Sequence, residues 1–194
     1  SRAFDAMTDA VMGWITDRTR SRFGRRRPYM TIGAPLAALA FVALFAPPAQ
    51  LTPTGAGLWL LACYVLYYLF HTIYIIPHYG LGPELTQDYH ERSRLYGLSE
   101  AFTVAGTIVA ALLPGLLVAK LGEREGYFAF GVLFAVLLTL LYWNLVFRIR
   151  ERPDFVHRPP NPLVPGVRRV KRNRVFRILL AVYVVGSITG AIPG

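Results

Sequence analysis

The sequence predicts an all-α membrane protein, and three observations carry that expectation. The first is composition: 54% of the 194 residues are hydrophobic and only 16% charged, with a mean hydropathy of +0.40, too apolar and too sparsely charged for an average globular domain. The second is the length of the apolar windows. A helix needs roughly 20 apolar residues to cross about 30 Å of hydrocarbon, and the candidate spans are Tyr29 to Ala46, Leu58 to Ile76, Leu95 to Ala119, Tyr127 to Phe147 and Val175 to Gly194. The third is where the charge sits. Of the 21 basic residues, six lie in Arg18 to Arg27, two are Arg92 and Arg94, and ten fall in Arg148 to Arg177, whereas Pro47 to Gly57 has none. That alternation is the positive-inside asymmetry and places the arginine-rich connections in the cytoplasm. It accounts for the net charge of +10 without nucleic acid as a partner.

Ser1 to Thr16 reads as the cytoplasmic end of a helix running inward, because the arginine cluster follows it. Arg2, Asp5 and Asp9 put three ionisable groups at membrane depth, where charge is expensive and functional by default. Asp5 and Asp9 are four apart and share a helix face. Arg2 neutralises only one carboxylate, so the other needs a proton, a metal cation or another partner; an ion pair that only braces the bundle is the competing reading. Tyr29 to Ala46 crosses outward, with Gly33, Pro35 and several alanines allowing close helix contact. Leu58 to Ile76 returns inward with two adjacent polar stripes, Tyr67, His71, Tyr74 and His78 beside Tyr68, Thr72, Ile75 and Tyr79, one of which faces a cavity. His71 and His78 are either secondary proton-relay candidates or neutral bundle histidines.

The connection Pro77 to Arg94 carries Glu84, Asp88 and Glu91. Asp88 and Glu91 have the spacing of an N-cap and its reciprocal partner, and charge pairing with Arg18 to Arg27 would hold the cytoplasmic side shut. Leu95 to Ala119 crosses outward with small-residue stripes, and its one acid, Glu100, either lines a cavity or reaches back to Arg92 or Arg94. Tyr127 to Phe147 returns inward without a charge. Residues 148–174 hold five prolines and read as a cytoplasmic link, and 175–194 start a further helix. The chain begins partway down one helix and stops within another, so the expectation is a portion of a longer protein. Cys63 stands alone in an apolar span, a buried hydrophobe and not part of a disulfide framework.

The pattern Gly13, Asp17, Arg18, then Gly24, Arg25, Arg26 and Arg27 resembles the signature loop of the major facilitator superfamily, with Thr19 to Phe23 inserted between its halves. Together with DAMTD upstream and RRRPYM downstream it is similar to the glycoside-pentoside-hexuronide cation symporters, the melibiose-permease-like family. The resemblance implies part of a twelve-helix bundle, from the end of helix II to the start of helix VII. Its implied domains are an N-terminal half over 1–147, a middle loop over 148–174 and the start of the C-terminal half over 175–194. It also implies cation ligands at Asp5, Thr8, Asp9 and Thr72, and a gating loop of Gly13, Asp17, Arg18, Gly24, Arg25 and Arg26. The substrate side falls on Tyr74, Ile75, Tyr79 and Glu100. Ile75 stands where the type has a sugar-binding aspartate and Tyr79 where it has a tryptophan, so a galactoside does not fit.

No nucleophile motif, zinc-binding spacing or glycine-rich phosphate loop is present, so an enzyme is not expected. The expected activity is symport of a sugar or similar organic solute, coupled to Na+ or H+ and without a cofactor, by alternating access. The setting is the plasma membrane, multi-pass, in a bacterium the inner membrane, with membrane lipid as a further partner. A sodium-dependent lysophospholipid or other lipid carrier of the same fold, and a non-transporting membrane scaffold or sensor, are the alternatives.

Overall fold

A computed structural model of the chain describes residues 2–48, 50–86, 88–149, 151, 173–178 and 181–182, with backbone alone over 2–7. Five helices follow in order: α1 (Arg2–Arg18), α2 (Arg27–Leu44), α3 (Pro53–Leu85), α4 (Tyr89–Leu121) and α5 (Glu123–Arg148). No strand occurs among the described residues. Helices α2 to α5 are each long and apolar enough to cross a membrane, by length and composition.

Contacts fix how the helices run. The Trp59 indole N–H donates to Ala43 O at one end of the α2–α3 pair (2.9 Å), and Gly33 lies against Ile73 and Tyr74 nearer the other, so α2 and α3 are antiparallel. The Trp143 indole N–H donates to Thr31 O (3.2 Å), while Gly131 faces Val42 and Phe45, so α5 is antiparallel to α2. Gly13 of α1 faces Ile76 of α3. Small residues bring these backbones together, as expected where lipid supplies no hydrophobic drive between helices. A Cβ on Gly33 would stand 2.9 Å from Ile73 Cγ2 and 3.1 Å from the Tyr74 nitrogen. The core lies among α2, α3 and α5: Ala34, Ala37 and Tyr74 form one cluster, and Met30, Leu81 and Val146 another. Helix α4 packs chiefly on α5 and has no buried residue among those described; lipid or neighbouring helices cover such a surface in a membrane.

Three boundaries differ from the sequence reading. Helix α3 runs on through Pro77 and Pro83 to Leu85, so the connection expected over Pro77 to Arg94 shrinks to residues 86–88. Proline removes a donor and crowds the preceding turn, but helices in membranes tolerate it where neighbours supply the contacts, and Pro77 is fully buried. Helix α4 starts at Asp88 without a break before the apolar span. The Asp88 carboxylate accepts from His90 N (2.8 Å) and Glu91 N (2.9 Å), the expected N-cap. The reciprocal partner differs: Thr86 Oγ1 accepts the Asp88 N–H (3.3 Å) and lies 2.6 Å from Glu91 Oε2. Arg92 donates to Pro83 O (3.2 Å) and Thr86 O (3.1 Å), closing the end of α3, and not to Glu100.

The connection between the expected spans Leu95 to Ala119 and Tyr127 to Phe147 is reduced to Gly122, whose φ of +86° reverses the chain. Gly126 then lies directly on α4, where a Cβ would stand 2.6 Å from Val118 Cα and 2.7 Å from Val118 N. Backbone atoms cannot yield as a side-chain end does. Gly126→Val is therefore expected to destabilise the α4–α5 pair by about 2 kcal/mol, read as a lower thermal unfolding midpoint of the purified full-length protein, whereas Gly57→Ala, where a Cβ meets nothing within 4 Å, leaves it unchanged.

Beyond Arg158 the chain forms a separate unit. In it residues 174–178 are helical, with Asn173 Oδ1 accepting from Val175 N (3.0 Å) and Phe176 N (3.4 Å) as an N-cap. The polar link over 152–172 and most of the expected span Val175 to Gly194 lie outside the described residues.

Candidate functional site

The turn between α1 and α2 gathers the end of the arginine run and three acids into one cluster. Arg25 and Arg26 are buried; Arg25 donates Nη2 to Glu84 Oε1 of α3 at 2.8 Å, and Arg26 Nη2 forms an ion pair with the same oxygen at 2.9 Å. Asp17, at the end of α1, lies 3.6 Å from Arg25 and 3.8 Å from Arg26. Burial pushes the Arg26 guanidinium below its ordinary value, and the Glu84 carboxylate opposes that shift. Gly80, one turn before Glu84, makes the space: a Cβ there would overlap the Arg26 guanidinium.

A third carboxylate completes the cluster from far along the chain. Glu151, just past α5, accepts the backbone N–H groups of Arg25 (2.8 Å), Arg26 (2.8 Å) and Arg27 (3.0 Å). These are orphan donors at the start of α2, where the helix dipole favours an anion. Gly24 has a φ of +106°, and a Cβ on it would stand 2.7 Å from Glu151 Oε1. The loop glycine is thus explained by backbone conformation and by the carboxylate seated against it. Arg27 donates to Val146 O, joining α2 to the end of α5. Asp17, Glu84 and Glu151 together balance the charges of Arg25, Arg26 and Arg27. Glu151 was not singled out from sequence, because nothing local marks a residue that far from its partners.

The other residues of the signature loop have distinct surroundings. Gly13 allows α1 to approach α3, with Ile76 Cγ2 3.9 Å from where its Cβ would stand. The buried Thr16 hydroxyl donates to Met12 O (3.0 Å) and Gly13 O (2.9 Å). The Arg18 guanidinium lies over the Trp14 ring, 4.1 Å from its centroid, outside the buried cluster.

Further along α1, toward the expected cation ligands, Gly13 faces Ile76 of α3. Asp9 is one turn before Gly13 on α1, and Thr72 one turn before Ile76 on α3. Thr72 is 6% exposed, and its hydroxyl donates to Tyr68 O (3.1 Å), leaving oxygen lone pairs as the group on offer. Thr8 and Asp9 are half-buried and both are engaged in contacts. Asp5 is on the same helix, but its side chain, like the competing Arg2–Asp5 ion pair, lies outside the described residues. Among the described residues no three His, Cys, Asp or Glu side chains converge; carboxylate and hydroxyl oxygens suit a hard cation.

The four substrate-side positions are not brought together. Tyr74 is 4% exposed and packs in the core, edge-on to Tyr142 at 4.7 Å between ring centroids. Its stripe, with Tyr67 and His78, faces α2 and α5, not open space. Ile75 is partly buried against the same cluster. Tyr79 is 67% exposed, and Glu100 is exposed on α4.

A family model described as MFS/sugar transport protein matches residues 1–193. An uncharacterised symporter of Synechocystis sp. is 35% identical over 78% of the chain and 29% of its own length. The putative glycoside/cation symporter YagG of Escherichia coli is 26% identical over 100% of the chain and 43% of its own. A sodium-dependent lysophosphatidylcholine symporter of Danio rerio is 27% identical over 60% of the chain and 22% of its own. The chain therefore spans less than half the length of these relatives.

Proposed function

The chain belongs to the MFS/sugar transport protein family, and from that premise we propose that the protein containing it is a cation-coupled symporter of a sugar-like organic solute. The observation that supports the proposal is that Gly13 of α1 faces Ile76 of α3, with Asp9 and the buried Thr72 one turn before them on their helices. With Asp5 and Thr8 on the same helix, these residues offer oxygen ligands to a monovalent cation, Na+ in the first instance and H+ as the alternative. A carboxylate at membrane depth is penalised while charged, and a bound cation removes the penalty. Reorientation becomes cheap only when the charge is cancelled and the solute fills its cavity, which couples the two fluxes.

The cytoplasmic cluster supplies a gate in this reading. Asp17, Arg25, Arg26 and Glu84 hold α1, α2 and α3 together at their cytoplasmic ends, Gly13 and Gly24 permit the close approaches, and Arg18 braces Trp14. Residues 148–174 link this half to the next. Tyr79, Ile75 and Glu100 remain the candidate solute contacts, with Tyr74 supporting them from the core. A lipid carrier is the second reading, favoured by the likeness to the lysophosphatidylcholine symporter.

The test is solute uptake by vesicles holding the full-length protein, at fixed pH, with sodium or an equal concentration of choline. Sodium-stimulated sugar uptake is the expected result. Stimulation of lysophospholipid uptake instead selects the second reading, and uptake that follows a pH gradient alone replaces sodium by the proton.

A further inference from the structure

The arginine run divides into two sets with opposite surroundings. Arg25 and Arg26 turn inward to the carboxylates, whereas Arg18, Arg20 and Arg22 are exposed. Phe23, among these cations, is 74% exposed. The division is made by Thr19 to Phe23, the five residues that lengthen the signature loop and that neither the cation site nor the gate employs.

This turn is built and not slack. Thr19 N donates to Ile15 O (3.2 Å) and Thr16 O (3.3 Å), and the Thr19 hydroxyl lies 2.7 Å from the Tyr29 hydroxyl on α2. Phe23 N donates to Ser21 Oγ (3.2 Å), and Gly24 N to Ser21 O (3.1 Å). The hydrogen bonds hold Arg20, Arg22 and Phe23 on the outside of the turn. No acid lies between Arg18 and Gly24, and the adjacent Asp17 is engaged with Arg25 and Arg26. The turn lies at the cytoplasmic ends of α1 and α2, on the side assigned by the basic connections.

An apolar ring kept in water beside three cations is unfavourable; at the boundary of headgroups and acyl chains it is favourable, because the ring enters hydrocarbon while guanidinium forks bind phosphate oxygens. We propose that the Thr19–Phe23 turn is a docking site for anionic phospholipid of the cytoplasmic leaflet, with Phe23 inserted among acyl chains and Arg20 and Arg22 holding the headgroup phosphate. The site anchors the loop that bears the gate, so lipid charge bears on gate position.

The experiment places an environment-sensitive fluorophore on Phe23→Cys in the full-length protein with its other cysteines replaced. The protein is reconstituted in phosphatidylcholine alone or in phosphatidylcholine mixed with phosphatidylglycerol, and acrylamide serves as a neutral aqueous quencher. Phosphatidylglycerol is expected to shield the label, and Arg20→Gln with Arg22→Gln to weaken that shielding by roughly fivefold per arginine. Added inorganic phosphate leaves the shielding in place. Equal quenching in both lipids, shielding that survives the double substitution, or its reversal by inorganic phosphate each overturns the proposal.

Discussion

Glu84→Gln is expected to cost about 3 kcal/mol of stability, because it removes one carboxylate shared by two buried guanidinium groups. The Glu84 side chain is 11% exposed and lies within 2.9 Å of both Arg25 and Arg26. Glutamine keeps the shape and one carbonyl acceptor but cancels the charge, leaving Asp17, at 3.6 Å and 3.8 Å, as the nearest anionic side chain to both. Arg25 Nε and Arg26 Nη1 already lack hydrogen-bond partners, so the cluster has no spare acceptor to redistribute. A lowered thermal unfolding midpoint of the full-length protein is the expected reading, with Glu91→Gln as the exposed control. Equal midpoints for the two variants would mean that the cluster is hydrated and worth no more than a surface ion pair.

Asp9→Asn is expected to abolish sodium-stimulated uptake while leaving the protein folded. The carboxylate costs about 3 kcal/mol at membrane depth until a cation cancels it, and that differential corresponds to on the order of 100-fold in cation affinity. Asparagine removes the demand for the ion and retains an oxygen for neighbouring donors. Thr72→Val, which deletes a hydroxyl from a buried position, is expected to weaken the ion less than the loss of the charge does. Uptake by Asp9→Asn with unaltered sodium dependence would move the cation elsewhere.

Much of the fold was legible in sequence because lipid makes the rules simple: apolar length marks a span, and basic connections mark a side. Asp88 was legible as a cap because its partners are two and three residues away. The run of α3 through Pro77 and Pro83 was not, since proline reads as a stop and only the packing of the folded chain shows the helix tolerated. Gly24 was legible as part of a motif, but its physical reason, Glu151 against its α-carbon, depends on a contact across most of the chain. Periodicity gives α3 two polar stripes and leaves open which of them faces a cavity. Periodicity groups residues on a face but does not say which neighbour covers it, and α2 and α5 cover the one with Tyr74. Asp9 and Thr72 are paired by resemblance alone, because ligands on two helices leave no spacing in the sequence to read.

Sodium binding measured on the purified full-length protein tests the central claim most directly. A ligand that binds the folded state alone raises its stability, so the thermal midpoint of the unaltered protein should climb with sodium at constant ionic strength, and that of Asp9→Asn should stay flat. The same sodium-dependent rise in both proteins would contradict a cation held between α1 and α3.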